Sequence, residues 1–171
     1  MKIEQKKWAG FASAVVLLAA SSLLAQQSQK EPPKETAKEA DVAVIVNPLN
    51  PVESISLAEL RNIFTGEKQN WNGSLPVFAV VRAPQSHERE VLLDRVLKMT
   101  DSEYKQYWVK KVYSGEAHRE PLTLMSNGMQ LEAVRADRGC IALISMQDVR
   151  QGVKVLKVDG HLPGTPGYRL K

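Results

Sequence analysis

Three short, unbroken apolar runs constrain this chain more than any other feature: Val42 to Val46 (VAVIV), Val77 to Val81 (VFAVV) and Cys140 to Ile144 (CIALI). Each is too short for a helix and two are rich in β-branched residues; none has the polar–apolar alternation of a half-exposed strand. Runs of this kind are stable as strands covered on both faces, so the intervening segments must supply helices for two sides of one sheet. They read that way. Ser56 and Glu59 form a capping box, followed by Leu57, Leu60, Ile63 and Phe64 on one helical face and Gly66 as the stop. Ser86 opens a second helix, with Glu88 and Glu90 in its first turn and Val91, Leu92, Val96 and Leu97 turned inward. Thr100 and Glu103 repeat the capping box before a helix that holds Tyr104, Tyr107, Trp108, Val109 and Val112 and ends at Ser114-Gly115. Leu122 to Met125 reads as a short strand. Ser126 or Asn127 caps a helix with Met129, Leu131, Val134 and Ala136 that stops at Gly139. Val153 to Val158 (VKVLKV) alternates apolar residues with Lys, as an edge strand does. The expected order, β-α-β-α-α-β-α-β-β, is that of an α/β layered domain.

Composition narrows the function. The 171 residues carry a net charge of +4 that is spread along the chain, whereas nucleic-acid surfaces need clustered Lys and Arg, so no nucleic-acid partner is expected. Cys140 is the only cysteine, and His87, His118 and His161 lack ligand spacing, so neither a disulfide, a metal site nor a cofactor is expected. With no GxSxG, HExxH or P-loop in the sequence, no catalytic residue is assigned and the chain is read as non-enzymatic. At the N-terminus, Lys2, Lys6 and Lys7 precede an uncharged stretch from Trp8 to Ala25 and then the polar QQSQK, the layout of a signal peptide over residues 1–25 with cleavage near Ala25. The alternative is an uncleaved anchor, since about 18 residues just span a bilayer. Both readings place the remainder outside the cytoplasm, periplasmic or secreted. Residues 26–40, with a Pro pair and alternating Lys and Glu, read as a disordered linker ahead of a folded domain over residues 41–171.

Four stretches in order resemble the phosphate-binding proteins of phosphate ABC transporters, of the type II periplasmic-binding-protein superfamily. NPLNPVESISLAELRNIFTGEKQNW resembles that family's NP turn followed by LSxxxLxxIFxGxxxxW. PVFAVVRAPQSHEREVLLDRVL resembles its strand, R-x-D-G-S-G-T loop and helix, and RGCIALIS resembles its GAIGYV strand. VKVLKVDGHLPGTPGYRLK resembles its closing L-x-V-D-G strand, Pro and final Y-x-L. The resemblance covers essentially all of residues 42–171 and implies one lobe of a PBP-like fold, a central mixed sheet with helices on both faces. Family members hold ligand between two lobes; this chain corresponds to the second, so a two-sided cleft is not expected.

In the family, the loop binds phosphate through an Arg fork, backbone N–H groups exposed at Gly and Ser or Thr, and a helix N-terminus. Arg82 and Ser86 match the pattern. Pro84 stands at its Asp, Gln85 and His87 at its two glycines, and Glu88 at its Thr. A Glu88 carboxylate about 4 Å from a bound anion would repel it by about 4 kcal/mol at an effective dielectric of about 20. One charge-assisted hydrogen bond supplies about 1.5–3 kcal/mol, which does not offset that. The resemblance therefore implies a degenerate oxyanion loop, with Arg82, Gln85, Ser86 and His87 as candidate ligands for a weakly bound phosphate-like oxyanion. The same four residues are expected on an open face available to an envelope protein partner. Read without a ligand, Ser86 is simply an N-cap and Glu88 and Glu90 are first-turn acids. The function expected is an exported binding or adaptor module, the alternative an accessory solute-binding protein for phosphate or another oxyanion in ABC transport. His118 reads as a solvated loop residue, Cys140 as a buried small hydrophobe, and Trp71 and Trp108 as packing residues.

Overall fold

The computed structural model describes residues 40–171, so the expected signal peptide and all but the last residue of the expected linker lie outside it. Five strands form the main sheet: β1 (Val42–Val46), β3 (Phe78–Arg82), β4 (Leu122–Leu124), β5 (Cys140–Ser145) and β6 (Lys154–Val155), in the order β4-β3-β5-β1-β6. Strand β1 runs antiparallel to β5, with Val44 opposite Leu143, whereas β3 runs parallel to both β4 and β5. The sheet is thus mixed.

Its two faces bury different partners because alternate residues of a strand point to opposite sides. Val42, Val44 and Val46 of β1, with Ile141 and Leu143 of β5, pack against Leu60, Ile63 and Phe64 of α1 (Leu57–Phe64) and Tyr104 and Trp108 of α3 (Asp101–Tyr113). Val91 of α2 (His87–Val91) joins the same cluster. Ala43 and Ile45, with Cys140, Ala142 and Ile144, pack against Leu131 and Val134 of α4 (Asn127–Ala136). Helices therefore cover both faces, as the apolar runs require.

The caps act as the sequence implies. Ser56 Oγ accepts from the Glu59 N–H at 3.1 Å while Glu59 Oε2 accepts from the Ser56 N–H at 3.2 Å. Thr100 and Glu103 exchange the same pair of bonds, and Ser126 Oγ caps α4 by accepting from the Met129 N–H at 3.2 Å.

Other expectations are corrected. The segment after Ser86 is α-helical only to Val91 and continues as a π-helical stretch, Leu92–Leu97, that ends at Lys98 in the left-handed region (φ 57°). The sequence could not distinguish the two, because the paired apolar positions at 92, 93, 96 and 97 share one face in either helix. VKVLKV is not one edge strand. Lys154–Val155 pairs with β1, whereas Lys157–Val158 (β7) pairs in parallel with a two-residue strand, β2 (Ser54–Ile55), which the sequence does not announce. Leu156 between them is fully buried, and its insertion into the core marks where the chain leaves one sheet for the other. Val109, Val112 and Met129 face water, because α3 buries Tyr104, Trp108 and Lys111 and α4 buries Gln130, Leu131 and Val134. Helix α4 ends at Ala136, before Gly139. Gly139 serves a close approach instead: a Cβ there would lie 1.9 Å from the Pro76 carbonyl oxygen.

Candidate functional site

Parallel strands that end side by side leave a crevice at their carboxyl ends, where open α/β sheets hold ligands. Here β3 carries Arg82 to that edge, β4 delivers the cap of α4, and β5 ends at Ser145 before a short 3-10 turn, Met146–Asp148.

Arg82 is largely buried, with its side chain 15% exposed, contrary to the open position expected of it. Its Nη1 donates to the Leu124 carbonyl at 3.1 Å, and its Nε lies 3.5 Å from Glu88 Oε2. Gln85 is exposed and sits in the left-handed region (φ 67°), at the position where the resembling loop has Gly. Ser86 is the N-cap of α2: its Oγ accepts from the Arg89 N–H at 3.3 Å and donates to the Ala83 carbonyl at 2.8 Å. His87 is half-buried, its Nε2 3.2 Å from the Ala40 carbonyl. Arg82 turns into a polar cluster, whereas Ser86 holds the helix start and His87 meets the entering chain.

Glu88 is the residue the sequence misplaced. It lies in the first turn of α2, as expected, but it is buried there. Its side chain is 7% exposed, and Oε1 accepts from Asn127 Nδ2 at 2.6 Å and from the Ser145 N–H at 3.2 Å. Asn127 Nδ2 also donates to Asp148 Oδ2 at 2.7 Å. Burying a carboxylate costs several kcal/mol of lost hydration, and here a guanidinium and two N–H donors offset it. Asn127, Asp148 and the Ser145 N–H escaped the sequence reading because a polar first helical residue and a loop acid are ordinary alone. The one signal available was Arg82 at a strand end with Glu88 entering the next helix.

Arg82, Ser126, Asn127, Gly128, Leu131, Asp148 and Arg150 line an open depression beside this cluster. Hydrogen-bonding capacity is left unused in its lining: Arg82 Nε and Asn127 Oδ1 have no hydrogen-bond partner.

The remaining candidates are structural. The Cys140 thiol is pushed up to about 12, first by burial and then by Asp137, which leaves it protonated and unreactive at neutral pH. Trp108 packs edge-on against Tyr104 and Tyr107, and Trp71 donates from Nε1 to the Gly139 carbonyl at 2.8 Å. His118 is exposed on the rim of a second depression, at the opposite end of β3, where Arg119 stacks over Phe78 at 5.2 Å. Among the described residues no group of three His, Cys, Asp or Glu side chains is placed to hold a metal ion. Nor is any helix among them long and apolar enough to cross a membrane.

Residues 38–166 match the PBP superfamily domain. Solved structures share the fold. A putative phosphate ABC transporter substrate-binding protein with bound phosphate from Clostridium perfringens is 23% identical, with a TM-score of 0.59 over 72% of this chain and 47% of its own. An ABC-type phosphate transport receptor from Vibrio cholerae is 20% identical, with a TM-score of 0.58 over 72% of this chain and 48% of its own. PstS from Borrelia burgdorferi is 18% identical, with a TM-score of 0.56 over 72% and 49% respectively. The chain thus spans about half the length of the solved structures it matches. No match is found among curated proteins.

Proposed function

The chain belongs to the PBP superfamily domain family, and from that premise we propose that it is an exported, non-enzymatic binding or adaptor module whose oxyanion loop is degenerate. One observation carries the reading: the guanidinium of Arg82, which the family pattern would offer to phosphate, is paired with the chain's own buried Glu88 carboxylate. An incoming anion would have to displace that carboxylate as well as surrender its own hydration, which leaves little net affinity. Gln85, Ser86 and His87 then belong to a surface that meets an envelope protein rather than a solute. On this reading residues 1–25 are a cleaved signal and residues 26–40 a linker, so the module works in the periplasm or outside the cell. Mass spectrometry of the mature chain should place its start near residue 26.

A second reading, an accessory solute-binding protein for phosphate or another oxyanion, is favoured by the unused capacity of Arg82 Nε. Calorimetry on the purified full chain with phosphate, sulfate and molybdate separates the two. Absence of heat with every oxyanion supports the adaptor; a dissociation constant in the micromolar range or tighter supports the solute-binding protein.

A further inference from the structure

We propose that Glu88 is a tethered internal anion, and that the cradle around it takes a small free oxyanion, a carboxylate or phosphate, once the Glu88 carboxylate is withdrawn. The proposal rests on the reading above, that the loop is occupied from within.

The surroundings of Glu88 are those of a bound anion. Its two oxygens meet the Asn127 amide, the Ser145 N–H and the Arg82 guanidinium, at 2.6, 3.2 and 3.5 Å. These donors come from α4, from the end of β5 and from the end of β3, so the rigid sheet and a packed helix hold them in place whatever occupies the centre. Preorganised donors of this kind bind an anion without reorganising.

The tether also fits imperfectly. At 3.5 Å the Arg82 Nε is beyond a good hydrogen bond, and that atom is buried with no hydrogen-bond partner. The backbone of α2 fixes how far the carboxylate can move toward it. A free anion has no such restraint and can centre itself between Arg82 and Asn127.

Charge and access agree with this. With the Glu88 side chain removed, Arg82 and Arg150 line the depression as cations, and Asp148, held on Asn127 Nδ2, is the one carboxylate in that lining. Two cations against one carboxylate favour a small anion. The depression, lined by Arg82, Ser126 and Asn127, opens to solvent and supplies the route in. In the unaltered chain that route leads to a filled place, so the domain's surface is set without any external ligand.

Thermal melts of the full chain in sodium chloride, formate, acetate and phosphate at matched ionic strength test the idea, read on the parent, Glu88→Ala, Glu88→Gln and Arg82→Ala/Glu88→Ala. Glu88→Ala should melt below the parent in chloride and recover by roughly 4 °C or more in formate, acetate or phosphate, the size of shift a well-occupied site gives a chain of this length. The parent and Glu88→Gln should not respond, the first because its carboxylate fills the cradle and the second because its amide does. The double variant should not respond either, having lost the guanidinium. If Glu88→Ala does not fold in chloride, circular dichroism after refolding in formate reads the same effect, and recovery of structure there supports the proposal. A Glu88→Ala chain that responds to anions no more than the parent, or that folds in none of them, overturns it. Heat from phosphate with the parent chain would instead overturn the adaptor reading, so the two failures are distinguishable.

Discussion

The two ends of strand β3 are built on opposite principles. At its start, Trp71, Pro76, Phe78 and Gly139 meet in a fit so close that a methyl group on Gly139 would collide with the Pro76 carbonyl. The Gly139 carbonyl there accepts two donors, the Trp71 indole at 2.8 Å and the Phe78 N–H at 2.9 Å. At its finish, Arg82, Glu88 and Asn127 meet in a cluster that carries charge and leaves Arg82 Nε and Asn127 Oδ1 without hydrogen-bond partners. Hydrogen bonds left unmade in a buried place are expensive. The start of β3 is thus a steric lock, and the finish is an electrostatic one.

Substitutions at the two ends should separate these locks. Gly139→Ala should be the most damaging change, about 4 kcal/mol by urea denaturation, because the opposing group is backbone and cannot retreat. No added anion should restore it. Arg82→Ala should cost about 3 kcal/mol by the same measurement, since it leaves Glu88 buried without its counter-charge. A loss equal to that of a surface Arg would show the pair to be solvated and would dissolve the contrast. Trp71→Phe should cost about 2 kcal/mol, in part from the space the smaller ring leaves in the core and in part from the lost indole donor, the Gly139 carbonyl keeping its bond from the Phe78 N–H. Gln85→Gly should go the other way and stabilise the chain by about 0.5 kcal/mol, relieving a left-handed conformation at φ 67° in the loop that leads to the polar end. The smallest effect at neutral pH belongs to Cys140, whose thiol is held protonated by burial up to about 12. The native state keeps its proton where the unfolded state has lost it, so stability should fall as pH rises from about 9 toward 12. Thiol-labelling at pH 8 should detect no reaction until the chain is unfolded.

Much of the architecture was legible. Unbroken apolar runs at 42–46 and 140–144 required a sheet covered twice, and the capping pairs Ser56 with Glu59 and Thr100 with Glu103 located two helix starts, because such signals act over three or four residues. The loop carrying Arg82 was also visible, through its resemblance to a phosphate-binding motif. The π-helical stretch after Val91 and the split of VKVLKV between two sheets were not, because nothing in local propensity separates those alternatives. Packing of Leu92, Leu97 and Leu156 against distant strands does.

What the sequence determined by itself is every feature set by neighbours along the chain: strand runs, caps and the polar character of the segment from Arg82 to Glu88. What only the tertiary structure decided is the role of Glu88. Its carboxylate becomes an internal anion because Asn127, 39 residues on, and Ser145, 57 residues on, are brought within hydrogen-bonding distance of it by β4, α4 and β5. Read along the chain, Glu88 looks like an acid favoured by a helix start and repelled by a ligand. Charge interacts through space and burial rather than along the chain, so its partners in the site were fixed only once those strands had assembled.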